Sequence, residues 1–302
     1  MTWSPRTPRR RALTGAAAAL SATALGALSA PAVARGARSA GDLDVLALLD
    51  AAGPFPLPRE RAFPDATPEQ WERARRADPG AFDGDTGWRL AFRVFAVRRP
   101  GGRVTLVDTG VGPSGSPAAP WAPVPGRLPR VLDAAGIDVR DVDTVVLTHL
   151  HEDHYGWSVG PDGEPFFPDA RYLVQRAELA ALAADDSAWG YVVEPLRRAG
   201  QLHEVDGRHV LRRGRGRLTL LPTPGHTPGH QSVLVEGGRR DVVITGDALV
   251  HAVQLVAPDV GYALEGDRER ARRSRHELFA AARRRRALLA TAHLGRAFVP
   301  AP

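Results

Sequence analysis

From about Asp42 onward, short β-branched runs alternate with helical stretches. Apolar runs bounded by glycine, proline or charge predict strands at residues 45–49, 89–97, 103–107, 144–148, 171–175, 218–221, 232–235, 241–244 and 288–292. One helix is expected to start at Thr67: its hydroxyl can cap the first turn, Pro68 suits the first helical position, and Gln70 completes a capping box. Another is expected from about Asp267 to Arg286. Two stretches show neither period, 53–64 and 112–129, and the second holds six prolines. Proline fixes φ and gives up a donor, so both read as stiff loops that could roof a pocket. With no internal repeat and no long linker, the pattern describes one α/β domain.

The N-terminus breaks that pattern. Arg6, Arg9, Arg10 and Arg11 precede a weakly apolar run at 12–30, which is the layout of an export signal. Twin arginines ahead of so weak a hydrophobic run resemble a Tat signal, and Ala32 and Ala34 supply small residues where a signal peptidase reads. The expectation is a signal peptide over 1–34, engagement of the Tat export machinery, and a secreted or extracytoplasmic domain over 35–302. The run is alanine-rich, interrupted by Ser and Thr and ended by Pro31, so no stable membrane anchor is expected after cleavage.

Removing that segment changes the charge. Residues 1–34 hold four arginines and no acid, which leaves 36 bases against 34 acids and a net of +2 in place of +6. The arginines at 283–286 fall in a helical stretch and read as a solvated face, so no nucleic-acid partner is expected. Cysteine is absent, which excludes a disulfide framework and a thiolate metal ligand.

The chemistry concentrates in Thr-His-Leu-His-Glu-Asp-His-Tyr-Gly, 148–156. Three imidazoles and a carboxylate crowd the end of a β-branched strand, and these are donors that Zn²⁺ accepts. In an extended loop alternate residues point the same way, so His149 and His151 can share one metal while Asp153 and His154, beyond the turn, serve a second. Four such groups left unpaired near one point would be costly, which favours metal binding.

His-x-His-x-Asp-His after Val-Val-Leu-Thr resembles the signature of the metallo-β-lactamase superfamily. The rest of the resemblance follows in order: Leu-Val-Asp-Thr-Gly at 106–110, Leu-Pro-Thr-Pro-Gly-His-Thr-Pro-Gly-His at 221–230, Ile-Thr-Gly-Asp at 244–247 and Thr-Ala-His at 291–293. It implies the αββα sandwich as a single domain and two zinc ions per chain; manganese, iron or cobalt also suit histidine and carboxylate donors. It further implies that His149, His151 and His226 hold one metal, Asp153, His154 and His293 the other, and that Asp247 bridges them. A metal-bridging hydroxide would be the nucleophile, with Asp153 and Asp247 as the catalytic carboxylates.

Within the family, the segment 246–255 looks like that of methyl parathion hydrolase-like proteins, neighbours of the quorum-quenching lactonases. Val250 stands where acyl-homoserine lactonases commonly carry a tyrosine, and Leu-Gly-Arg-Ala-Phe after His293 replaces an expected proline-rich run. The expected substrates are small esters, lactones or organophosphate-type esters. The alternatives are an acyl-homoserine lactonase, or a metal-binding relative without catalysis. Among the other polar candidates, His203, His209 and His276 read as surface residues, and His251 as a pocket or core residue. His230 and Asp108 read as supports for the ligand loops.

Overall fold

The computed structural model describes residues 33–35, 43–98, 102–237 and 239–302; residues 1–32 of the expected signal lie outside them. Among the described residues, eight strands form the first sheet: β1 (Val33–Arg35), β2 (Asp44–Pro54), β3 (Phe82–Asp83), β4 (Gly87–Arg98), β5 (Val104–Val107), β6 (Val142–Val146), β7 (Arg171–Gln175) and β8 (Leu202–Val205). Their order is β1-β2-β4-β5-β6-β7-β8, with β3 hairpinned onto β4. The second sheet runs β14-β13-β12-β11-β10-β9, from β9 (His209–Arg213), β10 (Gly216–Pro222), β11 (Gln231–Glu236), β12 (Val242–Ile244), β13 (Leu288–Ala290) and β14 (Phe298–Pro300). Pairing is parallel from β5 to β8 and between β12 and β13, and antiparallel elsewhere.

Successive strand residues point to opposite faces, and here both faces are buried. Val45 and Ala47 of β2 and Phe95 and Val97 of β4 meet Leu218, Leu220, Val233, Val235, Val242 and Ile244 between the sheets. Their neighbours Leu46, Leu48, Val94 and Ala96 turn outward onto Leu128, Val131, Leu179 and Leu196, which belong to helices Leu128–Ala134, Arg176–Ala181 and Glu194–Arg198. On the far side Leu234, Val243 and Leu289 pack on Leu278, Phe279 and Ala282 of helix Arg268–Arg285. Helix, sheet, sheet, helix is the expected αββα sandwich. Both expected helix starts are present. Thr67 and Gln70 form the capping box of Pro68–Ala77, and Asp267 caps Arg268–Arg285.

The stretch 53–64 is more regular than expected: β2 continues to Pro54 and a one-turn helix spans Arg59–Ala62. Together with 112–129 it lies on an aromatic cluster containing Phe63, Trp71, Phe82 and Trp88. His251 sits inside that cluster as a fully paired core residue. Its Nδ1 accepts from the Val253 amide at 3.1 Å and its Nε2 donates to the Ala81 carbonyl at 3.3 Å. Burial pushes its pKa down to about 3. Unfolding lets it titrate near 6.5, so its contribution is intact above that pH and is lost as pH falls toward about 3, at up to about 1.4 kcal/mol per pH unit. His251→Asn retains a capping acceptor and removes the titration. Urea unfolding at several pH values between 6 and 4 is expected to show a slope shallower by about one proton, and an unchanged slope would refute this assignment.

Candidate metal centre

The loops that follow β5, β6, β12 and β13, and the β10–β11 connection, converge at one end of the sandwich. After β6 the chain stays extended through His151 (φ −97°, ψ 154°) and then turns into the short helix Glu152–Tyr155. That turn splits the motif: His149, His151 and His226 gather with Asp247, while Asp153, His154 and His293 form a second group, each able to hold a metal ion. Gly246 makes the approach of Asp247 possible. It has φ +52°, and a Cβ there would lie 2.6 Å from His230 Nε2.

Asp247 reaches both groups. Its Oδ2 lies 3.2 Å from His226 Nε2 and 3.9 Å from His149 Nε2; its Oδ1 lies 2.9 Å from His293 Nε2 and 3.3 Å from His154 Nε2. In the first group His151 Nδ1 stands 2.9 Å from His149 Nε2 and 3.0 Å from His226 Nε2. In the second, His154 Nε2 and His293 Nε2 are 3.2 Å apart.

The outer ring nitrogens define tautomers, as inferred from their partners. His154 Nδ1 lies 2.8 Å from Asp108 Oδ2, and His293 Nδ1 lies 2.8 Å from the Ala91 carbonyl. His149 Nδ1 lies 3.1 Å from the Thr148 hydroxyl, which itself donates to Asp108 at 2.9 Å. In the neutral ring, a proton on each outer nitrogen leaves the Nε2 lone pair facing inward, the arrangement a cation needs. Asp247 Oδ1 is buried and has no hydrogen-bond partner, and the same is true of His226 Nδ1. An unpartnered buried carboxylate oxygen facing imidazole lone pairs fits a divalent metal.

Electrostatics divide the two groups. Burial, reinforced by neighbouring imidazoles, holds His149 well below the ordinary histidine pKa, and burial likewise depresses His226. Burial opposes charge on His154 too, but the carboxylates of Asp153, Asp247 and Asp108 outweigh it and hold its pKa well above the ordinary value. His293 is raised, its burial outweighed chiefly by Asp247. Burial also disfavours the charged form of Asp247, yet the surrounding histidines keep it well below the usual carboxylate range.

All seven expected ligand residues therefore meet at one place. The Asp247 amide donates to His230 Nε2 at 2.9 Å, and His230, neutral with a pKa pushed down to about 4 by burial, is anchored on Thr223. Asp108 supports both Thr148 and His154. His203 and His276 are exposed and His209 is half-buried, so these three stay outside the centre. Val250 is buried in the aromatic cluster, while Tyr262 stacks parallel to His226 at 6.2 Å between ring centroids.

Among the described residues, Asp50, Asp78, Arg93, Glu178, Glu265 and Arg275 are buried charged groups that the sequence pattern does not mark. Asp50 accepts from the amides of Val111 and Leu128 and from the Trp157 indole, and burial raises its pKa to about 6. Glu178 and Arg93 hold the ligand loops. Asp50 directly follows the apolar run 45–49, as Asp108 follows 104–107, and that is the available signal. For Glu178 and Arg93 the local sequence offers none.

The metallo-beta-lactamase superfamily model matches residues 93–293, and the chain belongs to that superfamily. N-acyl homoserine lactonase AttM of Rhizobium radiobacter is 32% identical over 180 residues, covering 53% of this chain and 66% of that protein. N-acyl homoserine lactonase AiiA of Bacillus thuringiensis subsp. kurstaki is 32% identical over 124 residues, 40% of this chain and 44% of its own. The chain thus spans less than two thirds of the length of these curated relatives. Among solved structures, AidC, a dizinc quorum-quenching lactonase in complex with a product, N-hexanoyl-L-homoserine, gives a TM-score of 0.68 at 21% identity, covering 90% of this chain and 98% of that one. The hydrolase AbOPH of the beta lactamase superfamily gives 0.67 at 22% identity, with 91% and 98% covered. At these identities the structural likeness speaks for the fold.

Proposed function

We propose that this protein is a dinuclear metal-dependent hydrolase that opens lactones, with small carboxylic or organophosphate-type esters as side substrates. The observation that carries the reading is Asp247, whose two oxygens face two separate ligand groups at 2.9–3.9 Å. His149, His151 and His226 would hold one metal and Asp153, His154 and His293 the other, with Asp247 shared. Zinc suits these donors. Bound there, the metals would supply Lewis acidity toward a substrate oxygen and a water activated near neutral pH.

The chain's own groups contribute orientation. Asp108, Ala91 and Thr148 fix the histidine tautomers, and His230 fixes the backbone of Asp247. Asp153 is buried beside His154 and His293, its Oδ2 at 3.4 and 3.5 Å from their Nε2 atoms, which places its carboxylate among the donors of that half. The lactone preference is supported by the AttM and AiiA similarity. The test is metal analysis beside a panel of N-acyl homoserine lactones, simple lactones, aryl esters and methyl parathion. Two metals per chain and lactone turnover at least about tenfold above the other substrates is the expected result. Two metals with ester or phosphotriester turnover ahead would move the assignment to that substrate class, and no turnover would leave a metal-binding relative.

Export rests on the arginines ahead of residues 12–30. Changing Arg9, Arg10 and Arg11 to lysine is expected to retain the protein in the cytoplasm on cell fractionation; undiminished export would reject the Tat route.

A further inference from the structure

We propose that the two halves of the centre are braced independently, the Asp153–His154–His293 half by the guanidinium of Arg93 and the His149–His151–His226 half by the carboxylate of Glu178. Each half can then be weakened without the other. The proposal rests on the dinuclear reading above and assigns Arg93 and Glu178 as positioning residues.

Arg93 lies on β4, 5% exposed, beneath the turn that carries His293. Its Nη1 donates to the carbonyls of Thr291 at 3.3 Å, Ala292 at 3.4 Å and Leu294, and its Nη2 donates to Gly295 at 2.8 Å. The remaining carbonyl of the turn, that of His293, accepts from the Ala91 amide at 3.0 Å. Every carbonyl from 291 to 295 therefore has its donor on β4. Asp78 closes the arrangement by accepting from the Gly295 amide at 2.7 Å and by offsetting the buried guanidinium charge. A planar fork of five N–H groups can serve four carbonyls at once, which an ammonium cannot reproduce.

Glu178, 3% exposed on helix Arg176–Ala181, works on the other side. Its Oε1 accepts from the Leu150 amide at 2.9 Å, between His149 and His151. Its Oε2 accepts from the Thr227 hydroxyl at 2.7 Å and the Gly229 amide at 2.9 Å, beside His226. One carboxylate thus staples the two loops that bear the three histidines. The Arg93 and Glu178 networks share no residue, and they approach from different elements of the fold. A buried charge whose hydrogen bonds go mainly to the backbone of the ligand-bearing loops fixes their geometry, and groups that orient ligands from behind commonly alter metal affinity about 10- to 100-fold.

The test uses cobalt(II) as probe on the full chain. Absorption bands recorded for His226→Ala and His293→Ala give the signature of each half, and titrations then report affinity half by half. Arg93→Met is expected to weaken the His293 half by about 10- to 100-fold and leave the His226 half within about threefold. Glu178→Gln is expected to do the reverse. Arg93→Lys, which retains a buried cation and some donors, should rescue part of the loss and remains informative if Arg93→Met does not fold. Equal weakening of both halves in each variant, or no weakening in either, overturns independent bracing while wild type still binds two ions. Wild type that binds fewer than two overturns the dinuclear reading and this proposal with it.

Discussion

Asp247→Ala is expected to empty both halves of the centre together: bound metal should fall from the proposed two per chain to below one, and the proposed lactone turnover by at least about 1000-fold. Of the seven grouped ligands only Asp153 and Asp247 are carboxylates, so the substitution removes half of the anionic charge available to two divalent cations. It also removes the one side chain whose oxygens face both groups. Asp247→Asn offers one oxygen and no charge. It should retain one metal, with turnover between that of the alanine variant and wild type. Elemental analysis of dialysed protein beside initial rates decides the matter. Two tightly held metals and near-native turnover in the alanine variant would remove Asp247 from the proposed bridging role.

The contrast with how well each group could be read in the sequence is physical. His149, His151, Asp153 and His154 were legible because a strand end and one turn place them by local geometry alone, and no distant contact is needed to sort them into two directions. Most interior strands were legible for a related reason. Both faces of β2, β4, β6 and β11 are largely buried, so the runs are mostly apolar. The strands missed were the two-residue β3 and the four sheet edges, β1, β8, β9 and β14. An edge strand pairs on one side only, and in β8 and β9 polar and charged residues interrupt the apolar pattern and most positions are half-buried or exposed, as in Leu-His-Glu-Val and His-Val-Leu-Arg-Arg.

Arg93 and Glu178 were illegible for the opposite reason. Glu178 stands in Arg-Ala-Glu-Leu-Ala-Ala, a pattern that reads as the polar side of a helix, and Arg93 sits within an apolar strand without any local partner. Their meaning lies mainly in backbone groups of loops 28 to 202 residues away. A residue whose partners are peptide N–H and C=O groups leaves no side-chain pattern behind, because every sequence supplies those groups. Asp108 was legible only in part: its place at a strand end marked it as support, but its conformation was not foreseeable.

Asp108 holds φ at +62°, a left-handed conformation that costs a non-glycine residue on the order of 1 kcal/mol. The compensation is three acceptor contacts: the Thr148 amide at 2.7 Å, the Thr148 hydroxyl at 2.9 Å and His154 Nδ1 at 2.8 Å. Asp108→Ala abolishes all three. It is expected to weaken metal binding at the His154 half by about 10- to 100-fold. It should also destabilise the fold by about 1–3 kcal/mol for the buried Thr148 amide left unpaired. Asp108→Asn separates these effects. Its carbonyl oxygen can still accept from the Thr148 amide, so unfolding free energy should change by less than about 1 kcal/mol. Its amide nitrogen, however, would face His154 Nδ1 donor to donor. The ring escapes by moving its proton to Nε2, which places hydrogen where a lone pair must point. Cobalt(II) affinity at the His154 half should therefore fall almost as far in Asp108→Asn as in Asp108→Ala, while denaturant unfolding distinguishes the two. Native metal affinity in Asp108→Asn would mean that the carboxylate matters for loop geometry alone, and that the His154 tautomer is set by something other than Asp108.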